Sequence, residues 1–469
     1  MGSEFPNKTA QKKGWLLRLL LFCGWLVAVA LLTAAALFFV WRSQLRHDIN
    51  AKTAAIKGAG LPVNWDDLAK WPATVPDDEN AAFIYTNAIA HLNTRFIPPD
   101  EKFREYLRPL SAETNALLEE MVRTNFEALQ IIDQVTNASE SRYPINYQDG
   151  PTAQLPHLAG LNQLAFVLGC DAILKAGDSN AIAATEDVQS SLKLSESLDN
   201  EPLLFSQLVS ISILNLSCES LEGVLHRTSL SEEQLSKLES QLSRAEATNR
   251  FLTALIGDRA MYNEFIRLAQ DDVRKMAEIS NKDSSQDDQT PLPSRNPGAV
   301  WRLIGFWERD RNFFLGAMAT NIYFIQQGPP ASRAMPHEDD RLGEQAQSGL
   351  YIFSSMFLPV YSGVANRDAS ARARLRDAIT VLAIERWRLQ HQDTVPDSLI
   401  DLVPAFLPTV PVDPYDGKPL RYKKLKNGYL IYSIGPNLKD DGGKEIPLPS
   451  AKVSSEERRN YDIVFTVER

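Results

Sequence analysis

The chain has 469 residues, 44% of them hydrophobic: too apolar for disorder and too long for one small core, so two or three packed units are expected. Its formal charge of −10 argues against the net basic surface that neutralising phosphates requires, the sequence holds no concentrated basic stripe, and no nucleic-acid partner is expected. Three cysteines are too few for a disulfide framework; Cys170 and Cys218 both lie on helical patterns and are read as buried thiols, with one disulfide between them as the alternative.

Residues 1–14 read as a short tail and 15–41 as a transmembrane anchor. From Leu19 to Trp41 there is no charge, and 23 residues at about 1.5 Å each give roughly 34 Å, enough to cross a hydrocarbon core of about 30 Å. Trp15 and Trp41 stand at the two ends, where amphipathic rings favour the headgroups, and Lys12, Lys13 and Arg42 bracket them. A cleavable signal would use the small residues Thr33-Ala34-Ala35-Ala36, but Leu37-Phe38-Phe39-Val40-Trp41 continue the run and favour an uncleaved span. Bulky Phe22 ahead of Cys23 argues against lipidation.

Lys8, Lys12, Lys13 and Arg18 before the span balance Arg42, Arg46, Lys52 and Lys57 after it, so charge does not orient it. A short tail followed by a long domain favours a cytoplasmic N-terminus. The expected location is the inner (cytoplasmic) membrane, single-pass, with the soluble region in the periplasm.

Residues 42–368 read as a helical domain. Arg42 to Lys57 continues as a polar helix, and the Gly-, Pro- and Trp-containing stretch Gly58–Pro76 is a linker that packs down. Helical periodicity resumes after the acidic run Asp77–Asn80, and again over Ser111–Asn137 with Ser111 as N-cap. Four antiparallel helices follow over Leu158–Ala176, Asn180–Leu198, Pro202–His226 and Ser231–Glu246, resembling tetratricopeptide-type hairpins but without a 34-residue period. Phe251–Glu278 is a further helix, Asn281–Pro297 an exposed mobile loop, and Val300–Gln327 an aromatic core stripe. The polar cluster His337-Glu338-Asp339-Asp340 reads as an acidic helix cap. Gln345–Asn366 lacks charge over 22 residues, but four serines, two glycines and Pro359 make it a poor second span, and a buried helix is expected.

At 369–469 the pattern becomes a small α+β module. A helix runs to about Gln390, five prolines punctuate the chain from Pro396 to Pro414, and Leu420–Leu425 and Tyr429–Ile434 form a hairpin through Lys426-Asn427-Gly428, where Asn-Gly tolerates positive φ. Tyr461–Val467 supplies a third strand, and Arg421, Lys423, Lys424 and Lys426 fit a solvated edge. A module of this size need not lean on the helices. The overall fold class is thus mainly α, an irregular bundle or solenoid with an N-terminal transmembrane helix and a small C-terminal α+β module.

The segments Val395-Pro396-Asp397-Ser398-Leu399, Val410-Pro411-Val412-Asp413-Pro414, Gly417-Lys418-Pro419-Leu420-Arg421-Tyr422 and Tyr432-Ser433-Ile434-Gly435-Pro436 resemble, in order and spacing, the C-terminal segment of the major pseudopilins of type II secretion. The resemblance covers about a fifth of the chain and implies a module outside the cytoplasmic membrane. There is no prepilin leader, and residues 42–368 stand between span and module, so polymerisation as a pilin is not expected. The whole layout resembles large single-span proteins of the planctomycete and verrucomicrobial type, which implies no activity. In pseudopilins the loop after the hairpin binds calcium, and the resemblance points to Asn437, Asp440, Asp441 and Asp462 as oxygen donors for such an ion.

There is no His-Glu-x-x-His, Gly-x-Ser-x-Gly, phosphate loop or Cys-x-x-Cys, so no catalytic or cofactor-binding residue is assigned. The expected function is a non-enzymatic envelope scaffold or interaction protein with protein partners, alongside a secretion or pilus-type apparatus. The alternative is an envelope hydrolase whose site assembles from distant residues.

Overall fold

The computed structural model describes residues 8–71, 74–108, 110–135, 140–271, 304–328, 335–447 and 453–468. The loop expected at Asn281–Pro297 and the start of the aromatic stripe, Trp301 included, lie outside them. The chain is mainly helical with one small sheet.

Helix α1, Lys8–Gly58, is a single element of 51 residues. Its first part is apolar, unpacked and long enough to cross a membrane. The remainder packs on α11, Phe306–Gln326, burying Leu45 and Ile49 against Leu315. Arg42 Nη2 meets Glu308 Oε1 at 2.7 Å, and Lys52 Nζ donates to Asn312 O and Oδ1, each at 2.8 Å. After α1 the chain turns onto α2, Trp65–Lys70, whose Trp65 is buried and donates its indole N–H to Met261 O at 3.0 Å. The linker is therefore part of the core.

Local chemistry sets the next helices. Asn80 caps α3, Ala81–Ala90, through Ala82 N, and Ser111 caps α4, Ala112–Thr124, through Thr114 N. The helix expected over Ser111–Asn137 divides at Asn125, with α5 covering Phe126–Ile132. The cause is the buried Asn125 side chain, which donates to Met121 O and accepts from Asn93 N, diverting the backbone from the helical ladder.

The four helices of the array are α6, His157–Gly177; α7, Ala181–Glu196, capped by Asn180; α8, Leu204–Leu225; and α9, Glu232–Ala247, opened by a Ser231/Gln234 capping box. Cys170 and Cys218 are buried and unbonded to each other, and burial raises both thiol pKa values. Helix α10, Arg250–Asp271, meets the turn before α8 so closely that a Cβ on Gly257 would stand 1.6 Å from Pro202 O.

The expected buried helix over Gln345–Asn366 is not formed. The stretch holds the end of α12, Met335–Ser348, a bend at Gly349-Leu350, the short α13, Ile352–Phe357, and the start of α14, Val360–Gln390. Leucine at 350 takes φ +56°, the left-handed conformation that ends α12.

Helix α14 also runs through the 368/369 boundary. Its Leu375, Val381, Leu382 and Ile384 share one core with Leu221, Val224, Leu235 and Leu238 of the array and with Tyr429, Ile431, Phe465 and Val467 of the sheet. Residues 369–469 therefore share one core with the helices rather than enclosing one of their own. The sheet is antiparallel in the order β1-β2-β3: Arg421–Leu425, Gly428–Ser433 and Ile463–Glu468. The hairpin lies where expected but for a different reason. Lys426 and Asn427 turn without positive φ, and glycine is needed at 428 because a Cβ there would meet Val467 O of β3 at 1.9 Å. The one-turn helix α15, Ser455–Arg458, precedes β3.

Candidate functional site

A cleft of about 440 Å³ opens where α8 meets β3. Strand β3 is an outer strand, so its far edge would present unpaired backbone groups. Two side chains one turn apart, Glu222 on α8 and His226 at its C-cap, occupy that edge. Thr466 N donates to Glu222 Oε1 at 3.2 Å, and His226 Nε2 donates to Thr466 O at 2.7 Å. Together they act as a neighbouring strand would, one acceptor and one donor at a single residue.

The carbonyl partner fixes the histidine tautomer with its proton on Nε2. Burial lowers the His226 pKa against the opposing Thr466 bond, so the ring is neutral at pH 7. Burial pushes the Glu222 carboxyl up to about 8, with Arg104 opposing the shift, so it is largely protonated at pH 7. Glu222 Oε2 has no hydrogen-bond partner among the described residues. Around the cleft, Arg108 pairs with Glu445 at 3.2 Å, Thr466 Oγ1 donates to Glu445, and Arg227 donates to the carbonyls of Tyr106, Leu107, Arg108 and Gly223. Glu219 bridges Arg104 at 3.7 Å and partly buried Arg374 at 3.2 Å.

A carboxyl titrating near neutrality beside a neutral imidazole has the means to exchange a proton, but both groups already hold the strand edge. Docking of the sheet on the helices is the role their partners define. Sequence reasoning missed this pair. The available signal was two glutamates, Glu219 and Glu222, in the otherwise uncharged α8; the partner Thr466, 240 residues beyond His226, gave none.

The four residues proposed for calcium do meet in one loop. Asp462 Oδ2 accepts from Gly443 N at 2.7 Å and Lys444 N at 3.2 Å, and Oδ1 accepts from Asp441 N at 3.4 Å. Asp440 Oδ1 accepts from Tyr432 Oη and Gly442 N, both at 3.0 Å, and Asn437 Nδ2 donates to Asp441 Oδ2 at 2.9 Å. Gly442 and Gly443 take φ of +77° and +78°, which turns their N–H groups inward. The loop thus converges amide donors on a carboxylate, the reverse of the oxygen cage a cation needs. Among the described residues no group of three His, Cys, Asp or Glu side chains could hold a metal ion. Thermal melts of the full chain in detergent are expected to coincide in chelator and in millimolar calcium, whereas Asp462→Asn costs about 1–3 kcal/mol through its weakened acceptors. A rise with calcium that magnesium does not reproduce would establish the cation site.

The cluster His337-Glu338-Asp339-Asp340 lies in the first turns of α12 but is more than a cap. Asp339 is buried, accepts from Asn321 Nδ2 at 2.7 Å and Ser362 N at 2.9 Å, and so ties α11, α12 and α14 together. Burial pushes its carboxyl up to about 7. Glu338 pairs with Arg341, while His337 and Asp340 line a second cleft of about 690 Å³ with Arg372, Arg376 and Arg459. Compared with family models, curated proteins and solved structures, the chain matches none of them.

Proposed function

We propose that the chain is a membrane-anchored scaffold of the cell envelope. In this reading its helical body stands on a single span, outside the cytoplasm, and offers its surface to protein partners. One observation carries the reading: α1 passes without a joint from an unpacked apolar stretch into a polar half that is bolted to the body by Arg42–Glu308 and Lys52–Asn312. A body held by a hinge-free helix has a set height and aspect, which suits presenting a surface. The motifs shared with pseudopilin C-terminal segments support a place beside a secretion or pilus-type apparatus, and the occupied partners of Glu222 and His226 favour a scaffold over a hydrolase.

The test is topological. With Cys23→Ser, the remaining thiols at 170 and 218 are buried, so a cysteine replacing exposed Lys237 reports alone. A membrane-impermeant maleimide is expected to label Lys237→Cys in cells whose outer membrane alone is permeabilised. Labelling only after lysis would place the body in the cytoplasm and overturn the proposal.

A further inference from the structure

Helix α13 and the bend before it lie at the level where the apolar part of α1 ends. Trp41 closes the uncharged run, and its ring approaches Gly305, where an added Cβ would stand 3.4 Å from Cζ3. Arg42 then pairs with Glu308 in the first turn of α11. Two residues on, Asp310 receives the start of α13: Phe353 N donates to Oδ2 at 2.8 Å, and Ser354 N and Oγ donate to Oδ1 at 3.1 and 2.6 Å. The Trp307 and Phe353 rings are 5.1 Å apart, and the Arg309 guanidinium lies 4.4 Å above the Tyr351 ring. From Arg42 to Phe353 the connection therefore spans about one helical turn of height.

The chemistry of this segment is unlike the rest of the body. Gln345–Asn366 carries no charge in a chain that is 23% charged. Leu350, Ile352, Met356 and Val360 are 70%, 44%, 63% and 48% exposed. Leu350 is held at φ +56°, a conformation that favours glycine and is strained for leucine, with Tyr351 N donating to Ala346 O at 2.9 Å to fix the bend. Gly349, the residue suited to that position, stands one place too early. An aliphatic side chain strained outward, on an uncharged segment, has the character of an interfacial contact rather than of a solvated loop.

We propose that the segment Gly349–Val360 rests in the lipid interface and seats Leu350, Ile352 and Met356 among the headgroups and upper acyl chains. The body would then touch the bilayer at two places, through α1 and through this shallow apolar turn. Arg309, held over Tyr351, is placed where a guanidinium meets lipid phosphate. This inference rests on the reading that α1 spans the membrane, and the experiment separates the two.

The full chain, carrying Cys23→Ser, is reconstituted in phosphatidylcholine/phosphatidylglycerol vesicles with one bimane-labelled cysteine at a time: Met356→Cys, Leu32→Cys within the apolar part of α1, or exposed Ile400→Cys as the solvent control. Nitroxide lipids labelled near the headgroup are expected to quench the Met356→Cys probe at least twofold more than the Ile400→Cys probe, at every protein-to-lipid ratio. Quenching no greater than the control, with the Leu32→Cys probe quenched by deep nitroxides, overturns the interfacial contact and leaves the span intact. An unquenched Leu32→Cys probe overturns both. Shielding of the Met356→Cys probe only at high protein density assigns the patch to a second copy of the chain and overturns the lipid contact.

Discussion

Excised from the body, residues 369–469 are expected not to fold. The cut falls inside α14, and the face of that helix carrying Leu375, Val381, Leu382 and Ile384 is covered by α8 and α9. The sheet stays against the part of α14 left in the fragment but loses α8, which packs on β3 beside Phe465 and Val467. At roughly 1.5–3 kcal/mol for each large apolar side chain returned to water, the four α14 residues together cost about 6–12 kcal/mol, as much as the ~5–15 kcal/mol that stabilises an ordinary domain. Polar ties are lost as well: Arg376 with Glu246 at 2.6 Å, Arg386 with Glu232 and Glu239 at 2.7 Å each, and the Glu222 and His226 bonds to Thr466. The fragment should show no cooperative urea transition and rapid proteolysis. A cooperative melt with a dispersed amide spectrum would refute the shared core.

Asp413→Ala should be the most damaging single change in the C-terminal region, at about 3–5 kcal/mol by analogy with breaking a buried ion pair. The carboxylate is fully buried and receives four donors: Arg421 Nη1 at 2.6 Å, Ser433 Oγ and Tyr415 N at 2.8 Å, and Ile434 N at 2.9 Å. Its own backbone N–H donates to Lys418 O at 2.7 Å. One side chain thus joins the proline-rich connection to β1 and to the end of β2. Alanine would strand two backbone amides and one face of a largely buried guanidinium, which retains Asp416 and, at 3.9 Å, Asp440. Asp413→Asn should fall between, since its Oδ1 still accepts while Nδ2 faces donors. Urea unfolding measures both, and a loss under about 1 kcal/mol for alanine would mean that water replaces the carboxylate at little cost.

This residue shows what was legible in the sequence and what was not. Val410-Pro411-Val412-Asp413-Pro414 was recognisable as a motif, but the reason for its aspartate is spread over residues 415, 421, 433 and 434, which only folding brings together. Helix starts were readable where the signal is local, as with Ser111, Asn180 and Ser231. The break at Asn125 was not, because Asn93 supplies half of it. Clearance is likewise invisible in one dimension: nothing beside Gly257 announces Pro202 O, and nothing beside Gly428 announces Val467 O. Asn437, Asp441 and Asp462, singled out from the sequence, are joined by hydrogen bonds in the fold. The direction of that loop's backbone amides, which decides between a cation and a carboxylate, follows from φ values that the sequence leaves open.

The unbroken course of α1 makes the body a lever. Residues 42–58 extend ~25 Å past the apolar stretch at about 1.5 Å per residue, so a span tilting by ~20° would carry the far end sideways by about 9 Å. With Arg42 and Lys52 clamped to α11, the array has no joint at which to absorb that swing. Under the proposed anchoring, bilayer thickness, which sets the tilt of a helix of fixed apolar length, would be converted into the direction in which the array points.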